Sequence, residues 1–316
     1  MKNPNRIVIA GGSGFLGQRL AHHFTQAGSD VVILSRSPKF AAGIGRWIPW
    51  NACTIGAWEL ELNGADALIN LTGKSVNCRY TAGNRNEILD SRVDSTRILG
   101  QAIGRCSSPP RVWLNASTAT IYRHTFGEAW DEAGEIAPTV DAKDRFSVDV
   151  AQAWEKAFIE APTPKTRKVT LRMAMVLGLG GNSVFPALRR LTTSRLGGRM
   201  ASGQQFVSWI HDADYCRAVE WLINHKDMKG VFNVAAPNPV KNAEMMRILR
   251  EACGVRLGLP APLWMLEFGA IFLRTETELV IKSRRVVPGR LLESGFNFEF
   301  PKIREAFEEL VNRKTG

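Results

Sequence analysis

The run Gly11-Gly12-Ser13-Gly14-Phe15-Leu16-Gly17 is where residue type and spacing first suggest chemistry in this 316-residue chain. It follows Arg6–Ala10 (RIVIA), which reads as a buried strand, and opens Phe15–Gln26, whose apolar residues recur at helical spacing. Gly12, Gly14 and Gly17 fit G-x-G-x-x-G, and Gly11, Gly14 and Gly17 fit G-x-x-G-x-x-G. In either register glycine permits a tight turn, lets the backbone approach a pyrophosphate and lets the helix pack closely on the strand. The free amides and positive dipole end of the helix then meet the negative charge. A glycine string alone says little, but between strand and helix inside a βαβ unit it points to a dinucleotide site.

The end of the next strand selects the dinucleotide. After Asp30–Leu34 come Ser35, Arg36, Ser37 and Lys39, with no acid between Asp30 and Glu59. An NAD site usually places a carboxylate there for the ribose 2′-hydroxyl. Here Arg36 can pair with a 2′-phosphate and Ser35 can hydrogen-bond it, which points to NADP(H). The plainer alternative is an ordinary surface arginine. At the end of a third strand, Asn70-Leu71-Thr72-Gly73 places Leu71 and Thr72 as candidate walls where the adenosine half would pass.

These positions need a scaffold of alternating elements. Strands are expected at Ala65–Leu71, Val112–Ala116 and Val169–Leu177, and helices at Asn86–Gly104 and Phe146–Glu160. Continuous apolar strands alternating with amphipathic helices predict an α/β Rossmann-type doubly wound parallel sheet, covered on both faces. Beyond Gly178 the texture changes. Glycines and arginines crowd residues 178–203, followed by a strand-like Gln205–Ile210, a helix from Asp212 to about His225, and Val231–Val234 returning to the main sheet. From Val240 the chain reads as mostly helical. The expected division is a nucleotide-binding lobe over residues 1–178 with a return near 205–236. A smaller substrate-side, C-terminal lobe takes 179–204 and 237–316.

Composition narrows the function class. Lys plus Arg exceeds Asp plus Glu by 41 − 30 = 11, and 45% of residues are hydrophobic. The positive charge is dispersed and lacks aromatic interleaving, so no specific nucleic-acid partner is expected; a solvated basic surface suffices. The five cysteines form no CxxC pair and no Cys/His cluster at zinc spacing, which argues against a disulfide framework and a metal. The richest apolar stretch, Pro260–Leu273, is too short to span a bilayer and contains Glu267. A soluble, cytoplasmic protein without membrane attachment is the expectation; oligomeric state is not legible.

Over nearly its whole length the chain resembles the extended short-chain dehydrogenase/reductases. Within them it is similar to the atypical branch of epimerase family proteins, with that branch's small C-terminal domain. The resemblance is carried by GGSGFLG (Gly11–Gly17), LSRSP (Leu34–Pro38), INLTG (Ile69–Gly73), CRYT (Cys78–Thr81) and EILDSRVDSTRIL (Glu87–Leu99). It continues through AWE (Ala153–Glu155), LRMAMVLG (Leu171–Gly178), GQQFVSWIHDAD (Gly203–Asp214), FNVAAPNPVKNAE (Phe232–Glu244) and VVPGRLLESGFNF (Val286–Phe298). It implies NADP(H) binding through Ser35, Arg36, Leu71, Thr72, Glu87, Arg92 and Val176. Glu87 and Arg92 lie about 140° apart around an ideal helix, so spacing alone makes them two solvated charges.

The resemblance fails at catalysis. Such enzymes usually carry Tyr-x-x-x-Lys, the lysine holding the phenol ready to exchange a proton beside the nicotinamide. The corresponding positions here are Phe146 and Val150, and neither moves a proton. Ser117 stands where the superfamily's carbonyl-polarising serine sits, and Tyr122, five residues on, is a candidate proton donor or a wall residue with a satisfied hydroxyl. His211 could titrate within reach of the cleft or be structural, and Asp212 and Asp214 read more readily as helix N-caps than as acids.

Two functions follow. One is an NADP(H)-dependent oxidoreductase or epimerase-like enzyme acting on a small molecule with an altered proton relay. The alternative is a non-catalytic NADPH sensor or partner platform. Both require the adenosine phosphate to be recognised. Calorimetric titration should therefore show NADPH binding about tenfold to a hundredfold more tightly than NADH, the worth of one charge-assisted hydrogen bond. Equal affinities would remove the argument from Arg36.

Overall fold

The computed structural model describes residues 5–37, 43–180, 183–266 and 278–313. Lys39 and the end of the apolar stretch Pro260–Leu273, residues 267–273, lie outside them. Seven parallel strands form the main sheet: β1 (Arg6–Ala10), β2 (Asp30–Ser35), β3 (Arg46–Pro49), β4 (Ala67–Asn70), β5 (Val112–Thr118), β6 (Arg167–Met173) and β10 (Gly230–Val234). Their order is β10-β6-β5-β4-β1-β2-β3. The winding reverses between β1 and β4, whose Ile7 and Ala67 pair in register. Ligand crevices of such sheets open beyond the carboxyl ends of the strands at this reversal.

Both sheet faces are apolar, as the continuous strand sequences require. Ile7, Ile9, Val31 and Ile33 turn to one side, where they pack with Leu20 and Phe24 of α1 (Phe15–Gln26) and with Tyr215, Val219 and Leu222 of α5 (Asp212–Asn224). Val8, Ala10, Val32 and Leu34 turn to the other, against Leu99 and Ile103 of α2 (Ala82–Arg105) and Phe158 of α3 (Arg145–Glu160). A third core joins Phe185 and Leu188 of α4 (Val184–Thr193), Met246 and Leu249 of α6 (Asn242–Ala252), and Phe307 and Leu310 of the C-terminal helix Ile303–Asn312.

Two expected strands are divided. Val169–Leu177 breaks at Ala174, so that β6 stays in the main sheet while β7 (Met175–Leu177) leaves it to pair with β9 (Trp209–His211). Gln205–Ile210 breaks at Ser208, and its first half, β8 (Phe206–Val207), pairs antiparallel with β11 (Val240–Lys241). Ser208 serves as a junction: its hydroxyl donates to the carbonyl of Arg284 at 2.9 Å and accepts from the amide of Val286 at 2.7 Å. The chain therefore returns to the main sheet only through α5 and β10, not from residue 205. β3 was not anticipated, because its four residues (RWIP) lie on an edge without a fully buried position.

Both sheet edges are blunted by side chains. Pro49 ends β3, and Arg46 there pairs with Asp30 and Glu61. Along β10, Arg290 donates to the carbonyls of Val231 and Lys229, and Glu132 accepts from the Asn233 amide at 2.8 Å.

His211, Asp212 and Asp214 hold elements together. Asp212 and Asp214 do not cap α5; His211 does, its Nδ1 accepting from the Ala213 amide at 3.1 Å. The imidazole is fully buried, with Nε2 3.0 Å from Glu309 of the C-terminal helix, so it does not reach the cleft. Asp212 binds Arg19 and Arg313, each at 3.0 Å, and Asp214 accepts from the amides of Glu299 and Phe300. Burial lowers the pKa of His211, because a charged ring would lose its hydration there. The unfolded chain thus binds a proton near pH 6.5 that the native state refuses, and stability falls as pH drops through that value. Denaturant unfolding between about pH 7 and 5 should show a loss of up to ~1.4 kcal/mol per pH unit from this group. The His211→Asn variant, which keeps a capping side chain, should flatten the slope in that window.

Candidate functional site

The crevice beyond β1 and β4 is a continuous trough of three cavities. The outer one, about 620 Å³, lies between Ser35 and Arg36, the loop after β3, and Glu87 of α2. The central one, about 490 Å³, runs past the glycine turn to Ser117, Phe146 and Val176. The inner one, about 380 Å³, extends under the C-terminal lobe to Met245, Lys282 and Arg284. Gly11, Gly14, Leu71, Thr72 and Gly73 line both outer and central cavities. Val76, Thr118, Thr120 and Met173 through Met175 line both central and inner ones.

The glycines of the turn have separate tasks. Gly11 has φ +76°, and a Cβ there would stand 2.9 Å from the Thr72 amide nitrogen. This close passage brings β1 and β4 together at the reversal. A Cβ on Gly12 would meet the Ile33 side chain at 2.9 Å, and one on Gly17 would reach 2.4 Å from the Gly12 Cα, so these two residues seat α1 on the sheet. Gly14 differs. It is the N-cap of α1, no side chain caps it, and a Cβ there would meet only the Gly11 carbonyl at 3.7 Å. The space beyond Gly14 belongs to the trough.

Most of the expected binding residues converge there. Ser13, Ser35, Arg36 and Glu87 line the outer cavity, Phe15, Leu16, Gly17, Arg92 and Val176 the central one, and Leu71 and Thr72 both. Gly12 alone stays beneath the lining. The Ser35 hydroxyl is turned inward, donating to the Ser37 carbonyl at 2.6 Å and accepting from the Trp47 indole at 3.1 Å, which leaves the charge at this corner to the exposed Arg36. Glu87 and Arg92, far apart around α2, face different cavities. Lys74 holds Glu87 at 2.5 Å. Arg92 lies 5.1 Å from the Trp154 ring, donates to the carbonyls of Lys74 and Ile88, and has its pKa lowered to about 10 by burial. Sequence reasoning missed Trp50, Asn51 and Cys53 of the outer wall and Tyr80 of the central one. An indole just beyond an unrecognised edge strand was the available signal for the first group.

The catalytic candidates are placed differently. Ser117 lines the central cavity, but its hydroxyl donates to Glu155 at 2.6 Å. Glu155, on α3, is gripped by Arg172 of β6 through two bonds of 2.8 Å. Arg172 also donates to the Tyr122 hydroxyl at 2.9 Å, and that hydroxyl donates to Asn233 of β10 at 2.8 Å. Tyr122 is 1% exposed and lines none of the three cavities, so it stands neither as a proton donor in the cleft nor as a wall residue, although its hydroxyl is satisfied. Burial raises its pKa further from the range of a proton donor at neutral pH. Phe146 and Val150 do line the central cavity. Among the described residues no cluster of His, Cys, Asp and Glu could hold a metal, and no helix is long and apolar enough to cross a membrane.

The strand order, the reversal beside a glycine turn and the trough beyond it define a Rossmann-type nucleotide-binding fold with an added C-terminal lobe. The chain belongs to the NAD dependent epimerase/dehydratase family, whose profile matches residues 7–235. The profile of a domain of unknown function, DUF1731, matches residues 261–310. The human epimerase family protein SDR39U1 is 31% identical over 97% of this chain and 99% of its own length. The epimerase family protein YfhF of Bacillus subtilis is 29% identical over 98% and 99%. The crystal structure of human SDR39U1 (isoform 2) with NADPH superposes with a TM-score of 0.85 at 28% identity, covering 98% of this chain and all of that one. The resemblance read from the motifs is thereby borne out.

Because Ser117 donates to a buried carboxylate, its removal should register in stability. Ser117→Ala is expected to lower the unfolding free energy by about 1.5–3 kcal/mol, the range for hydrogen bonds to charged groups. Urea denaturation of both proteins at neutral pH measures this, and an unchanged midpoint would return Ser117 to the catalytic candidates.

Proposed function

We propose that the chain is an NADP(H)-dependent oxidoreductase or epimerase-like enzyme acting on a carbonyl compound held in the inner cavity. The observation that carries this reading is the open face at Gly14. It is the one glycine of the turn that the scaffold does not need for clearance, and it fronts a trough that runs from Arg36 to the inner cavity. The residues present fit the coenzyme. The α1 N-terminus takes the pyrophosphate, Arg36 pairs with the adenosine phosphate, and Val176 and Trp154 wall the nicotinamide. The NADPH bound to the human relative supports the same choice. Bound coenzyme would supply hydride chemistry at the nicotinamide ring.

This chain's own residues then hold the second ligand. Thr118 and Thr120 stand where the central and inner cavities meet. Thr120 Oγ1 accepts from Arg284 Nε at 3.1 Å, which strengthens its own hydrogen as a donor toward a substrate oxygen. Ser117 acts through Glu155 as a support of the cavity floor. A second reading, coenzyme binding without turnover, is favoured by one observation: Ser117 and Tyr122 are both committed to the Glu155–Arg172 network.

A panel of aldehydes, ketones, quinones and nucleotide sugars added to NADPH-loaded protein distinguishes the two. Oxidation of the nicotinamide by at least one class is expected, and none across the panel despite tight NADPH binding would leave the non-catalytic reading. Gly14→Ala should weaken NADPH at least about tenfold while changing stability by less than about 1 kcal/mol, because its methyl group enters the trough and not the scaffold.

A further inference from the structure

A second concave surface lies at the end of the main sheet opposite the trough. It is a cavity of about 1170 Å³ where β5, β6 and β10 begin, beside the last turn of α3. It shares no lining residue with the three cavities of the trough. Arg111, Lys165, Arg167, Lys168 and Lys229 all line it. Arg111 is paired with Asp66 at 2.7 Å. Among the described residues, no carboxylate stands in ion-pair contact with any of the other four.

Two of these cations brace helix ends. Arg167 donates to the carbonyls of Leu222 and Ile223 in the last turn of α5, at 2.9 and 3.0 Å. Lys168 donates to the carbonyls of Ile159 and Ala161 at the end of α3, at 2.9 and 2.5 Å. Such carbonyls hold a cation without neutralising it. Burial and the neighbouring Arg111 lower the pKa of Arg167, with Asp227 offsetting part of this, and burial lowers that of Lys168. Lys165 and Lys229 are exposed. Thr163 and Thr166 also line the cavity; they are 5% and 6% exposed, and neither hydroxyl has a hydrogen-bond partner. The rest of the lining is largely apolar: Ile159 is 63% exposed, with Pro162, Pro164 and Val231.

Positive charge without a counter-charge calls for an anion, and the apolar lining narrows its kind. The volume exceeds the roughly 300–1,000 Å³ of small-molecule pockets, and a phosphate ion would leave Ile159 and the prolines in water. Phe158 is 1% exposed, so it offers no stacking face to a nucleic acid. A flat bilayer does not enter a concavity. A peptide with both acidic and apolar side chains fits all three observations.

We propose that this groove docks an acidic segment of a partner protein, with carboxylates on Lys165 and Lys229 and an apolar side chain on Ile159 and the prolines. Fluorescence anisotropy with the full chain should compare three labelled peptides: one alternating acidic residues with leucine, its Gln/Asn counterpart, and an all-acidic one. The first should bind at least about tenfold more tightly than the others, less so as salt is raised. Lys165→Glu combined with Lys229→Glu should weaken it about tenfold or more, leaving NADPH affinity and Tm unchanged. Arg190→Glu combined with Lys302→Glu changes net charge equally at exposed positions elsewhere and should alter binding by less than about twofold. Overturning results are equal binding of either control peptide, an equal loss from the Arg190 and Lys302 substitutions, or no binding at all. Tripolyphosphate competing as well as the peptide would assign the groove to a small anion and overturn the proposal. Co-sedimentation with phosphatidylserine vesicles, abolished by the Lys165 and Lys229 substitutions, would overturn it in favour of a membrane.

Discussion

The pairing of Arg172 with Glu155 is the constraint on which the cleft depends. Two charges have been taken out of water between β6 and α3, and such a pair is tolerable only when every lone pair and proton finds a partner. Ser117 of β5 and Tyr122 of the loop after it are those partners, and Asn233 of β10 accepts in turn from the Tyr122 hydroxyl. The network ties three adjacent strands to the helix that carries Phe146, Val150 and Trp154 into the central cavity. The hydroxyls of Ser117 and Tyr122 are both engaged in this network, while Thr118 and Thr120 line both the central and the inner cavity.

Much of this was legible in the residues. The glycine turn, the missing acid after β2 and the continuous apolar strands locate the crevice and its charged corner, because each reflects local backbone or electrostatic demands. Phe15–Gln26 is a helix over the span its apolar spacing suggests. What escaped was long-range. No periodicity reveals that Val169–Leu177 changes sheet at Ala174, since both halves are equally apolar. Tyr122 and Glu155 lie far apart in sequence, and only the fold shows that one arginine holds both. His211 was legible as a titratable group but not as a helix cap, because capping depends on where the preceding strand stops.

The C-terminal segment helps to wall the inner cavity. Ser283, Arg284 and Val286 bond to Phe206, His124 and Ser208, so the last third of the chain is tied into the wall of the inner cavity. The glycine turn after β1 and the walls of the inner cavity are therefore supplied by different parts of the sequence.

The treatment of the sheet margins has a further consequence. A parallel sheet ends on two strands whose outward amides and carbonyls invite another chain to pair. Here a proline and a twice-bonded arginine finish one margin, while Arg290 and Glu132 occupy main-chain groups on the other. Growth of the sheet by recruiting a stray strand, the first step towards fibrous deposits, is thus obstructed at both ends by side chains that also brace the native fold.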